Sequence, residues 1–155
     1  MEGSGTVDRT LELYRAARAR TEHVGLALQA YLFRTPADLE ALLPLRPSVR
    51  LVKGAYMESH EVAHAAKADV DRAFRRLATR LLEARAAGSA ERPTFGTHDR
   101  AMIRHAAAEA GSLGVDRGRW EVAMLYGIAT PEQDRLVREG FSLRVLVSYG
   151  THWFP

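Results

Sequence analysis

Short apolar runs alternate with longer stretches of helical period along this chain, and no other feature restricts its fold as much. Apolar residues recurring every three or four positions predict helices over residues 6–20, 35–43, 60–87, 99–110 and 130–139. Between them, runs over 24–32, 49–55, 94–97, 120–125 and 143–147 predict strands. Leu143-Arg144-Val145-Leu146-Val147 and Val49-Arg50-Leu51-Val52 are nearly continuous in apolar character, as strands covered on both faces are. Strands and helices in strict alternation imply an α/β fold built of βαβ units on a parallel sheet. That sheet is either a doubly wound layer or part of a (β/α)8 TIM-type barrel.

Several element ends carry their own chemistry. Thr35-Pro36 and Thr130-Pro131 each suggest a hydroxyl at the N-cap and a proline at the first helical position, where a missing N–H costs nothing. Gly88, Gly111 and Gly140 each follow a helical pattern, where a left-handed cap is wanted.

The 155 residues suit one domain, and no linker or low-complexity tract divides residues 1–155. Hydrophobic residues at 46% and charged residues at 26% match a soluble chain, and no run approaches the roughly 20 apolar residues of a membrane span. The N-terminal residues lack the pattern of a secretory signal. Zero cysteines exclude disulfides, thiol catalysis and thiolate metal sites, and fit a cytoplasmic location. The net charge of +3 comes from arginines such as Arg72, Arg75, Arg76 and Arg80, interspersed with acids, which describes a solvated helix face and not a nucleic-acid surface.

Polar residues gather where the expected strands end: Tyr31 and Arg34, Lys53 to Tyr56, Thr97 to Asp99, Tyr126-Gly127 and Tyr149-Gly150. In parallel α/β folds ligands bind at the carboxyl ends of strands. Arg50 and Lys53 stand three apart in an apolar run, so they point to opposite sides of the sheet, and each needs a carboxylate or an anionic ligand. Gly54 would let a ligand approach the backbone, and Tyr56 offers a ring and a hydroxyl.

Arg50-Leu51-Val52-Lys53-Gly54-Ala55-Tyr56 resembles the fifth-strand signature of proline dehydrogenases. Residues 24–32 are similar to that family's fourth strand and Thr94-Phe95-Gly96-Thr97-His98-Asp99 to its sixth. Residues 120–127 resemble its seventh strand and 143–150 its eighth. Five matches in the family's order cover nearly the whole chain. The resemblance implies a (β/α)8 barrel that binds FAD and oxidises L-proline to 1-pyrroline-5-carboxylate by hydride transfer. Electrons would pass to a quinone or another acceptor, with peripheral contact to an inner membrane left open.

Carried over by position, Gln29, Arg50, Lys53, Gly54, Ala55, Thr97 and His98 would face the flavin. Arg50 would lie near the reactive ring nitrogen and Lys53 near the phosphates. Tyr56 and Leu125 would form the proline-facing wall, with Arg50 and Tyr56 as the catalytic pair. The chain departs from the family pattern at Leu146, where a tyrosine is usual, at Ala123, where a glutamine is usual, and at Ser148, where a proline is usual. It resembles only the C-terminal part of the barrel, without the N-terminal strands or the last helix that clamps the substrate carboxylate. The resemblance therefore implies an inactive fragment with open sheet edges and an exposed apolar inner face, prone to self-association.

His60-Glu61-Val62-Ala63-His64 matches the H-E-x-x-H pattern of zinc peptidases, in which two histidines one turn apart on a helix hold the metal. This is the alternative enzyme reading. The charged residues that follow, Lys67, Asp69, Asp71 and Arg72, do not suit a helix buried around a metal, so no metal site is expected. His23 and His105 read as surface or packing residues, and His152 is undecided. A third reading is a flavin-binding fragment without catalysis.

Overall fold

The structure, a computed structural model, describes residues 3–150; His152 and the residues around it lie outside that range. Five strands form one parallel sheet in sequence order: β1 (Gly25–Gln29), β2 (Ser48–Val52), β3 (Thr94–Gly96), β4 (Glu121–Leu125) and β5 (Leu143–Leu146). The helices are α1 (Val7–Arg18), α2 (Thr35–Leu42), α3 (Lys67–Ala86), α4 (Arg100–Ser112) and α5 (Thr130–Arg138). Sequential parallel neighbours joined by helices are the expected βαβ units.

Alternation along each strand divides the sheet's two faces. Leu26, Leu28, Val49, Leu51, Phe95, Val122 and Met124 point to the helices and are buried. They share one core with Leu39 and Leu42 of α2, Phe74 and Leu81 of α3, Ile103 of α4 and Leu136 of α5. A file of rings runs through it, Phe74 to Phe95 at 6.3 Å, Phe95 to Trp120 at 5.7 Å and Trp120 to Phe141 at 5.6 Å between centroids. In α3 the buried Ala73, Phe74, Leu77, Ala78, Leu81 and Leu82 make one stripe, which is why this segment is helical and faces the sheet. Gly88, at φ +78, ends it.

The opposite face carries Ala27, Gln29, Ser48, Arg50, Val52, Thr94, Gly96, Glu121, Ala123, Leu125, Arg144 and Leu146. It is mainly small and polar, not the apolar surface expected. Arg144 Nε donates to Glu121 Oε1 at 2.8 Å and Thr94 Oγ1 to the same atom at 2.8 Å, so the buried Glu121 is compensated within the face.

Several expected boundaries move. Helix α3 starts at Lys67, not at residue 60, because residues 62–64 bond to the end of β1: Phe33 N donates to Val62 O at 3.0 Å and His64 N to Tyr31 O at 2.8 Å. Strand β2 stops at Val52, so Lys53, Gly54 and Ala55 lie in the loop beyond it. Thr35 and Thr130 open their helices without capping them; Arg34 and Ala129 are the N-caps, and the Thr35 hydroxyl donates to Gln29 O at 2.5 Å. Gly111 lies inside α4, and Gly114, at φ +66, takes the left-handed position instead.

Candidate active site

The carboxyl ends of β1 to β5 converge on the face opposite the helices, and Arg50 stands in the middle. Val49 and Leu51 turn into the core, so Arg50 must turn away from it. Its register neighbours are Ala27 on β1 and Thr94 on β3, side chains too short to cover it. The side chain is therefore exposed and not buried as its sequence suggests. Among the described residues no carboxylate pairs with its guanidinium, although on the same face Arg144 of β5 has taken Glu121 of β4.

Three hollows meet at Arg50; one of about 320 Å³ runs toward the amino ends of the strands, with Ser48, Thr94, Glu121 and Arg144 in its walls, and the other two lie toward their carboxyl ends. Of these two, the first, of about 390 Å³, is lined by Gln29, Arg50, Lys53, Gly54, Ala55, Tyr56 and Thr97 among others. The second, of about 290 Å³, is lined by Arg50, Thr97, His98, Leu125 and Leu146 with the small Gly96 and Ala123. Every residue expected at the site thus lines one or both. A larger groove of about 570 Å³ lies elsewhere, between α2 and α3, with Phe33, Glu40, His64, Arg76 and Arg80 in its walls. It contains none of the converging residues, so the smaller hollows at the strand ends are the candidate site.

Lys53 has the partners that Arg50 lacks. Its Nζ donates to Asp71 Oδ1 at 2.5 Å and to Asp99 Oδ2 at 2.7 Å, and Lys67 Nζ donates to Asp71 Oδ2 at 2.5 Å. Burial works against the Lys53 ammonium, but the bonds to Asp71 and Asp99 outweigh it and hold its pKa above the ordinary lysine value. The Lys53 and Lys67 bonds hold the Asp71 carboxyl below the ordinary range, and the Lys53 bond does the same for Asp99. Asp99 also caps α4, accepting from Ala101 N at 2.9 Å. The carboxylates come from helix ends, not from a neighbouring strand. Sequence reasoning missed both, although Asp99 follows directly on Thr97-His98 and Lys67-Asp71 has the helical four-residue spacing.

The remaining groups are held by their backbone. Gln29 is 3% exposed, at the end of β1. Gly54 has φ +126 and lies against the Tyr31 ring, where a Cβ would collide with Cδ1. Thr97 N donates to Ala123 O at 3.1 Å, continuing the β3 ladder, and its hydroxyl accepts from Asp99 N at 3.1 Å. His98 Nε2 accepts from Leu125 N at 3.4 Å, which leaves the ring proton on Nδ1; that atom is buried without a partner among the described residues. Tyr56 at 47% and Leu125 at 45% exposure form the open sides of the two hollows.

His60 and His64 do not share a helix face, since both precede α3; His64 packs edge-on against Phe33 at 4.7 Å. The geometric premise of the zinc reading fails. His105 is a packing residue between α3 and α4, with Nε2 3.1 Å from Thr79 Oγ1 and from Arg75 O.

This arrangement defines a class: an arc of a (β/α)8-type barrel with a candidate ligand site at its strand ends. The family model described as "Proline dehydrogenase" matches residues 1–153. Proline dehydrogenase 2 of Bacillus subtilis subsp. natto is 37% identical over 154 residues, covering 99% of this chain and 49% of its own length. The proline dehydrogenase of Deinococcus radiodurans is 39% identical over 156 residues, with the same coverage. The crystal structure of proline utilization A (PutA) from Bdellovibrio bacteriovorus inactivated by N-propargylglycine matches with a TM-score of 0.89 at 26% identity. It covers 97% of this chain and 18% of that one. The chain belongs to the proline dehydrogenase family, and it spans about half the length of the curated relatives it matches. No described helix is long and apolar enough to cross a membrane.

Proposed function

We propose that this chain forms the flavin-facing wall of an FAD-dependent proline dehydrogenase. The observation that carries the reading is Arg50, a guanidinium without a counter-charge among the described residues at the junction of two hollows. The residues present fit a flavin. His98 lines the hollow beside Arg50, Gly96 removes a side chain there, and Arg50 supplies positive charge. All three suit a planar, electron-rich and anionic partner.

When bound, a flavin would supply the two-electron acceptor for a hydride from the ring CH2 carbon beside proline's nitrogen, with the N–H proton passing to solvent and 1-pyrroline-5-carboxylate as product. Arg50 would favour the negative charge that develops as the ring is reduced, because a pre-placed cation needs no reorganisation at that moment. Gln29, Ala55, Thr97 and His98 would fix the ring system, and Gly54 would let it approach the backbone. Lys53 would direct its ammonium to the phosphates in competition with Asp71 and Asp99. Tyr56 and Leu125 would exclude water from the substrate side. Electrons would leave for a quinone or a similar acceptor. With about half of a relative's length present, the chain alone would retain flavin and turn proline over slowly or not at all.

The test is to express the chain and measure bound flavin by visible absorbance, then dye reduction by L-proline. Arg50→Ala removes charge-assisted bonds worth about 1.5–3 kcal/mol, so flavin affinity should fall about ten- to a hundredfold. Flavin loading equal to the unaltered chain would refute the assignment of Arg50.

A further inference from the structure

Leu125 borders the hollow beside Arg50, Thr97, His98 and Leu146, but its half-exposed side chain has little packing of its own to fix it. Its placement depends on its backbone. Strand β3 ends at Gly96, so no β3 carbonyl remains for the Leu125 N–H, and the His98 ring accepts in its place. On the β5 side the ladder continues, with Tyr126 N donating to Leu146 O at 2.9 Å.

Beyond Leu125 the chain turns sharply into α5 through Gly127 at φ +76 and Ala129 at φ +52. A left-handed alanine persists only where its surroundings hold it. The holding group is Gln133, 8% exposed on α5. Its Nε2 donates to Leu125 O at 2.9 Å and to Ile128 O at 2.8 Å, which commits both hydrogens of the amide to this turn. Leu125 is thus gripped at its N–H by His98 and at its C=O by Gln133.

We infer that Gln133 is a positioning residue that sets Leu125 as a fixed apolar wall of the substrate hollow. The inference rests on the reading above, that this hollow takes proline. Gln133 touches neither hollow and acts only through the turn.

The test compares the full chain with Gln133→Leu and Gln133→Glu, following the Leu125 methyl and His98 ring resonances by NMR. Gln133→Leu should shift and broaden the Leu125 methyl signals and leave flavin affinity unchanged. In the flavin-loaded chain it should weaken L-proline binding about tenfold, the effect of two modest hydrogen bonds lost together. Gln133→Glu keeps the shape: ionised, it repels both carbonyls, and protonated, it donates to one. Proline affinity in that variant should recover as pH falls, a limb absent from the unaltered chain. This limb also carries the test if Gln133→Leu folds poorly.

Unmoved Leu125 signals in both variants would overturn the inference, as would a moved Leu125 with unchanged proline affinity. An unaltered chain that binds no flavin, or binds flavin but no L-proline, would instead overturn the reading of the site. The Leu125 signals would still decide separately whether Gln133 positions that residue.

Discussion

Replacing Gly54 by alanine should destabilise the fold far more than the same change at Gly88, and the structure gives both magnitudes. Both glycines have positive φ, +126 at Gly54 and +78 at Gly88. At Gly88 an added Cβ meets nothing within 4 Å, so the cost is conformational alone, about 1–2 kcal/mol for a left-handed residue. At Gly54 the Cβ would run into Tyr31 Cδ1 and stand 2.6 Å from Cε1 and Cγ, beneath a ring that is itself 7% exposed. The ring cannot step aside without opening the core under β1. Overpacking of this kind adds about 1–3 kcal/mol to a backbone strain of about 1–3 kcal/mol, so the total is about 2–6 kcal/mol. At about 2–4 °C per kcal/mol for a chain of this size, the melting temperature should drop by about 4–24 °C. Parallel urea titrations and thermal scans of the two variants give the difference directly. If Gly54→Ala costs no more than Gly88→Ala, the Tyr31 contact does not govern this position.

Two further outcomes follow from the same packing and charges. Phe95→Ala, at a fully buried position between the rings of Phe74 and Trp120, should cost about 3–5 kcal/mol, read as a lower urea midpoint. The depressed pKa values of Asp71 and Asp99 mean that their stabilisation is present above the usual carboxyl value of 3.8 and is lost as pH falls through the lower folded values. Lys53, with a raised pKa, stabilises fully below 10.5 and loses that contribution as pH rises through its folded value. Asp71→Asn should flatten the acid limb of a plot of urea midpoint against pH; an unchanged limb would show that these carboxylates do not set it.

The order of helices and strands was legible in the sequence, because periodicity reports which face of an element is covered. Val49 and Leu51 mark the helix side of β2 and so also place Arg50 on the other face. Lys53 to Tyr56, Thr97 and His98 could be read for the same reason, as the residues that end apolar strands, whereas Gln29 and Leu125 came only with the family resemblance. What could not be read depends on contacts distant in sequence. Residues 60–64 carry a helical pattern, but their backbone bonds to Tyr31 and Phe33 at the end of β1 hold them out of α3. Gln133 looks like an ordinary helix residue until the turn it grips is seen.

Arg50 and Lys53 show best where the boundary of legibility lies. Their spacing predicts opposite sides of the sheet, yet Lys53 lies beyond the end of β2 and lines one hollow with Arg50, and only tertiary structure decides which one is satisfied. Asp71, 18 residues away, and Asp99, 46 residues away, both reach Lys53. Glu121, the acidic residue on Arg50's own face, is already held by Arg144. Unmatched positive charge among the described residues therefore collects on the open face at Arg50. An anionic partner at that point would pair with Arg50 without displacing any existing ion pair, whereas one at Lys53 would have to compete with two carboxylates. Flavin affinity should therefore depend more on Arg50 than on Lys53, although both are cations of the same short segment.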